Sequence, residues 1–120
     1  MPRFVILRHT LPADASRDDH YDLMLEDNGE LLTWALPRLP SSEPQTANEL
    51  PPHRLAFLTY QGPVSQNRGN VSRVVHGDFT WLRRDSVDLC VQLESSQLTG
   101  QLNLRKKQGQ QWFVWLTAKT

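Results

Sequence analysis

The stretch His20-Tyr21-Asp22-Leu23-Met24-Leu25-Glu26-Asp27-Asn28-Gly29-Glu30-Leu31-Leu32-Thr33-Trp34-Ala35-Leu36 decides the fold class. Two short runs rich in leucine and aromatic residues flank Asp27-Asn28-Gly29-Glu30, whose residues tolerate positive φ, so the stretch predicts a β-hairpin. Working outward, the same rhythm recurs at 3–9, 54–60, 71–76, 78–83, 87–93, 98–105 and 111–117, with further turns at Gly77-Asp78, Ser95-Ser96 and Gln108-Gly109. Helical periodicity is nearly absent. Six or more antiparallel strands with no long helix bury an apolar face without exposed edges by closing, fully or nearly, into a small β-barrel. The expected fold is therefore all-β, as a single domain over residues 1–120.

Two stretches break the rhythm and read as long loops. Residues 10–19 are polar and acidic around Pro12. Residues 37–53 hold five of the eight prolines, with room for no more than a short helical turn near 43–49.

Composition narrows the function classes. A chain of 120 residues with 38% hydrophobic and 22% charged residues can bury a core without disulfide staples. The formal net charge of zero removes the broad electrostatic argument for nucleic-acid binding, so any basic surface is local. The single cysteine, Cys90, lies in an alternating apolar run and reads as buried strand. The apolar run at 4–7 is far short of a signal-peptide core or a membrane span, which makes a cytoplasmic location without membrane partners the default expectation.

Chemistry concentrates on the first strand of the hairpin. Because side chains alternate, His20, Asp22, Met24 and Glu26 share one face, and Tyr21, Leu23 and Leu25 share the other. An imidazole and a carboxylate two residues apart on one strand lie close enough to hold one cation. His9 ends the preceding strand and can bring a third ligand to the same rim. Alternation does not say which face lines the barrel; a polar set turned inward needs a ligand or an ion. The same pattern also occurs on any half-solvated antiparallel sheet. Arg38 at a strand exit and Arg54 at the next strand's start are each either a phosphate clamp or a solvated strand end. Arg68 lies in the polar turn Ser65-Gln66-Asn67-Arg68-Gly69. His53 and His76 stand alone. Arg105-Lys106-Lys107 is a short basic run near a turn, and Trp81, Trp112, Phe113 and Trp115 read as packing residues.

These residues resemble a known family. His20-Tyr21-Asp22-Leu23-Met24-Leu25-Glu26, then Gly29, then Leu32-Thr33-Trp34-Ala35-Leu36-Pro37-Arg38 is similar to the core of the 3′-phosphoesterase domain of bacterial DNA ligase D. Arg54-Leu55-Ala56, Tyr60-Gln61-Gly62-Pro63-Val64 and Gly77-Asp78-Phe79-Thr80-Trp81 extend the likeness over nearly the whole chain. The resemblance implies a compact barrel holding a manganese-type ion near one end. It implies removal of a 3′-phosphate or a 3′-terminal ribonucleoside from DNA or RNA-DNA strand ends in end joining. Carried over residue by residue, His9, His20 and Asp22 match metal ligands. Arg38 matches a lysine near the scissile phosphate, Arg54 an arginine of similar role, and Glu26 the glutamate that closes the strand motif. Zinc or iron suits the same ligands. Polymerase and ligase steps belong to separate partners, in a bacterial cytoplasm and at the nucleoid if the protein works in repair.

The departures point the other way. Met24 stands where the family has an arginine that handles phosphate. The family's acidic-acidic-His-Pro segment and its tyrosine have no counterpart after Arg54-Leu55-Ala56, which leaves His53, His76 or Arg68 as possible substitutes in space. Three functions follow: a metal-dependent 3′-end phosphoesterase, a catalytically impaired relative that binds DNA ends or a repair partner, and a two-His-one-carboxylate iron oxygenase. The third pairs His20 and Asp22 with His76 and leaves His9 apart.

Overall fold

The computed structural model describes residues 1–118. Nine strands follow in order: β1 (Arg3–Thr10), β2 (His20–Asp27), β3 (Glu30–Leu36), β4 (Gln45–His53), β5 (Gly62–Pro63), β6 (Asn70–Arg84), β7 (Asp88–Glu94), β8 (Gly100–Gln108) and β9 (Gln111–Thr117). One 3₁₀ turn, Leu55–Leu58, lies between β4 and β5. Eight strands pair antiparallel in the ring β1-β2-β3-β4-β9-β8-β7-β6, and β6 pairs back onto β1 to close it. The two-residue β5 adds to the flank of β6. The expected all-β barrel is the fold. No helix among the described residues is long and apolar enough to cross a membrane.

Alternation sorts each strand into an inner and an outer face. All eight ring strands contribute to one apolar cluster, with Phe4 and Ile6, Leu23 and Leu25, Trp34 and Leu36, and Leu102 and Leu104 among its members. That cluster is the barrel interior. Trp34 and Trp112 meet edge to face at 5.9 Å, and the Trp112 indole N–H donates to Glu49 Oε1 at 2.8 Å. A second cluster, Val5, Leu7, Met24, Leu31, Leu58 and Val71, takes the opposite parity on β1 and β2 and so lies on the outer wall. Each large side chain buried there contributes about 1.5–3 kcal/mol.

The β2–β3 turn is as expected. Asp27 pairs with Glu30 across Asn28 and Gly29, whose φ values of 49° and 82° suit the type I′ geometry of a twisted hairpin.

Three expectations are corrected. Residues 37–53 are not all loop, and the helical turn near 43–49 does not form, because Gln45–His53 is strand β4. Its first half pairs with β9 and its second half with β3, the two ladders sharing Asn48, so Pro51 and Pro52 follow the last pairing to β9, where a missing N–H costs nothing on that side. Residues 54–60 are not a strand. Leu55 and Leu58 sit three apart and both pack on the outer cluster, so a 3₁₀ turn covers the wall better than an extended run. Gly77-Asp78 is not a turn but the middle of the 15-residue β6, which pairs with β1 over its first half and with β7 over its second. A Cβ at Gly77 would lie 2.3 Å from the Glu94 carbonyl oxygen, so the glycine permits a close approach rather than a reversal.

Candidate metal centre

The antiparallel register of β1 and β2 sets His9 opposite His20 and Leu7 opposite Asp22. His9 shares its face with Val5 and Leu7, and His20 and Asp22 share theirs with Met24, so all three polar side chains stand on the outer wall. One ligand atom from each of His9, His20 and Asp22 lies within 4.8 Å of the others. Among the described residues this is the only such histidine and acid group.

Hydrogen bonding sets the donor state of each ligand. His20 Nδ1 lies 3.1 Å from the Asp18 carbonyl and donates to it, which leaves the Nε2 lone pair to accept from Arg17 Nη2 at 3.3 Å. That lone pair is 3.1 Å from Asp22 Oδ1, and Oδ1 is buried with no hydrogen-bond donor. Asp22 Oδ2 meets His9 Nδ1 at 3.0 Å, and His9 Nε2 donates to the Arg68 carbonyl at 2.7 Å. Burial would push the Asp22 carboxyl up, but the His20 and His9 imidazoles outweigh it and hold the group at about 2. The Asp22 contact raises His9 above its ordinary value, against the effects of burial and the nearby Arg17 charge. An ionised carboxylate with one bare buried oxygen, beside an imidazole nitrogen that presents its lone pair, fits a cation.

A cavity of about 660 Å³ opens over this group. Its far wall is the covering segment, with Leu50, Pro51, Pro52, His53 and Phe57, and its floor includes Met24 and Val71. His53 Nδ1 lies 2.9 Å from the Pro51 carbonyl and its ring is 5.6 Å from that of Phe57. Arg17, Arg54 and Arg68 also line the cavity. Arg68 is tied to the Ser65 carbonyl and hydroxyl at 2.9 and 3.0 Å.

The structure thus brings His53, Arg54 and Arg68 to the same cavity as His9, His20 and Asp22. It does not bring the others. Glu26 is at the distant end of β2, where it accepts from the Arg3 backbone N–H at 2.8 Å and pairs with the Arg3 guanidinium at 3.2 Å. Arg38 leaves β3 with its backbone N–H and carbonyl both held by the Gln45 side-chain amide, outside the cavity lining. His76 is opposite Val5 on β6, with its N–H on Gln97. It is absent from the ligand group and His9 is in it, the reverse of the iron-triad arrangement. Sequence reading passed over Arg17, the Asp18 carbonyl and the aromatic cover of Phe57. The signal for Arg17 was its position three residues before His20 in a loop that returns to the site.

Comparison with known proteins agrees with the motif. Residues 12–114 match the DNA Ligase D 3′-phosphoesterase domain family, a span that starts just after His9. A multifunctional non-homologous end joining protein LigD from Pseudomonas aeruginosa is 31% identical over 128 aligned positions, covering 93% of this chain. The LigD proteins of Mycobacterium bovis and Mycobacterium tuberculosis are each 26% identical over 121 positions, covering 92% of it. This chain corresponds to only 14% or 15% of the length of those relatives. The motif between His20 and Arg38, the barrel that carries it and the match over most of the chain agree: the chain belongs to the DNA ligase D 3′-phosphoesterase domain family.

Proposed function

We propose that the protein is a divalent-metal-dependent phosphoesterase that trims the 3′ ends of DNA or RNA-DNA strands, removing a 3′-phosphate or a 3′-terminal ribonucleoside. The observation that carries this reading is the buried, donorless Asp22 Oδ1 facing the His20 Nε2 lone pair beneath a cavity lined by arginines. His9, His20 and Asp22 would hold the ion, with manganese as the first candidate. The ion supplies positive charge that polarises a phosphoryl oxygen.

The chain's own residues do the rest. Arg54, in the cavity wall, neutralises charge on the phosphate, and Arg68 adds to the local positive field from its anchored position. His53 has its Nδ1–H committed to the Pro51 carbonyl, so Nε2 is the free nitrogen that accepts a proton from an attacking water or, once protonated, returns it to a leaving oxygen. Phe57, Pro51 and Pro52 form an apolar wall against which a terminal base can rest and from which water is excluded. A single strand end needs few phosphate contacts, consistent with zero net charge. In a repair setting, separate enzymes would supply polymerisation and sealing, in the cytoplasm.

A second reading rests on Met24, which is buried in the cavity floor where the family places an arginine. On that reading the protein binds strand ends without turnover. Incubating manganese-loaded protein with 3′-phosphate and 3′-ribonucleotide primers separates the two. Release of phosphate or nucleoside, abolished by chelator, supports the enzyme; binding without product supports the impaired relative.

A further inference from the structure

We propose that Arg17 is the phosphate-gripping residue of this site: a guanidinium delivered by the 10–19 loop to the ligand group, where it holds the terminal phosphate of the strand end. The inference rests on the end-processing reading above. Three observations carry it.

The first is position. Arg17 Nη2 lies 3.3 Å from His20 Nε2, against the lone pair that faces Asp22 Oδ1, and Arg17 lines the cavity. The second is freedom. Among the described residues, Arg17 has no carboxylate partner, whereas Arg8 pairs with Asp19 on the same loop and Arg68 is tied to Ser65. A guanidinium with no carboxylate partner, held only by a long contact to His20 Nε2, keeps the rest of its planar fork of donors available for a phosphate. The third is delivery. The loop is fixed at both ends of its turn by Leu11 N–H to Asp19 Oδ1 at 2.7 Å and by His20 Nδ1–H to the Asp18 carbonyl. Ala15 N–H donates to the Pro12 carbonyl at 3.0 Å within it. The residue between these anchors therefore reaches the ligand group by construction. Were a cation held by His9, His20 and Asp22, Arg17 would give up its contact with His20 Nε2 and its long stem would leave the guanidinium at the cavity.

The test compares wild type, Arg17→Gln and Arg17→Lys, with Lys107→Gln as a control that removes one charge on the β8–β9 hairpin. Fluorescence anisotropy measures binding of a single-stranded oligonucleotide ending in a non-hydrolysable 3′-methylenephosphonate, against the same strand ending in 3′-OH, in manganese at several salt concentrations. Calorimetry measures manganese binding alone. Arg17→Gln should weaken the phosphonate-ended strand by about 10- to 100-fold, with little change for the 3′-OH strand. The slope of log affinity against log salt should fall by about 0.7. Arg17→Lys should recover the slope and part of the affinity, and Lys107→Gln should match wild type. Manganese should bind Arg17→Gln at least as tightly as wild type, since a competing cation has gone. Unchanged phosphonate binding, weakened manganese binding or a lysine variant that restores nothing overturns the inference. If wild type itself does not distinguish the two strand ends, the end-processing reading fails and takes this inference with it. If wild type distinguishes them and Arg17→Gln does so equally, only the Arg17 inference fails.

Discussion

Strand β2 carries an aspartate toward each end, and the fold treats the two carboxylates in opposite ways. Asp27 closes the strand at the hairpin and is gripped through both oxygens by the Arg84 guanidinium at 2.9 and 2.8 Å, with Arg84 lying over the Trp81 ring. Nothing there is left to bind. Asp22 is buried between two imidazoles with one oxygen bare, and among the described residues no arginine or lysine pairs with it. Both carboxyls sit below their ordinary range, Asp27 because Arg84 donates to it and Asp22 because two imidazoles outweigh burial. A lowered carboxyl therefore does not by itself mark a site. Incomplete satisfaction of a buried oxygen is what separates the two.

Removing the special end should have the largest effect. Asp22→Ala is expected to abolish manganese binding in calorimetry and bring turnover to background, while the barrel stays folded by far-ultraviolet dichroism. Retained metal binding would remove Asp22 from the ligand set. Next comes His53→Gln, expected to lower kcat by about a hundredfold with manganese affinity unchanged. A rise in KM alone would make His53 part of the wall and not a proton carrier.

Acid titration of the metal-free protein sharpens the contrast further. The Asp22 carboxyl lies at about 2 when folded against an ordinary 3.8, so it favours the folded state above pH 3.8 and loses that contribution as pH falls through 2. The contribution at neutral pH is about 2 kcal/mol, so Asp22→Asn should flatten the acid limb of a stability profile by that order. His9, raised when folded, works at the other limb: its contribution is full below its ordinary 6.5 and fades as pH rises through the raised value. The smallest effect belongs to the satisfied end. Asp27→Asn breaks a pair whose arginine is 45% exposed, so about 0.5 kcal/mol of stability should be lost in a denaturant melt, with no change in turnover. A larger loss of activity there would mean that the two ends are coupled.

Much of this was legible in the sequence because its signals are local. Positive-φ residues at Asn28-Gly29 announce the hairpin, and a period of two puts His20 and Asp22 on one side of β2. The sidedness was not legible: only closure of the ring shows that Leu23 and Leu25 face inward and that the ligands stand on the outer wall. β4 was hidden by its prolines, which break strand propensity but are harmless beyond its pairing with β9. Residues 54–60 have strand-like composition, and their i, i+3 packing depends on the outer cluster they cover. Glu26 and Arg38 lie near His20 and Asp22 in sequence, yet one points to Arg3 and the other leaves the barrel edge with Gln45. Arg17 sits in a polar loop without periodicity, where its place three residues before His20 is the one local mark of a side chain that reaches back.

The pairing of β1 with β6 has a kinetic consequence. It joins Thr10 to Asn70 across 60 residues, the most entropically expensive kind of contact for a chain to close. The His9 bond to the Arg68 carbonyl sits beside that seam, as does the cover that walls the cavity. Ligand geometry is then complete only once this long-range seam has shut. A bound ion becomes a reporter on the seam, and its rate of escape measures how often the barrel breathes open along that line.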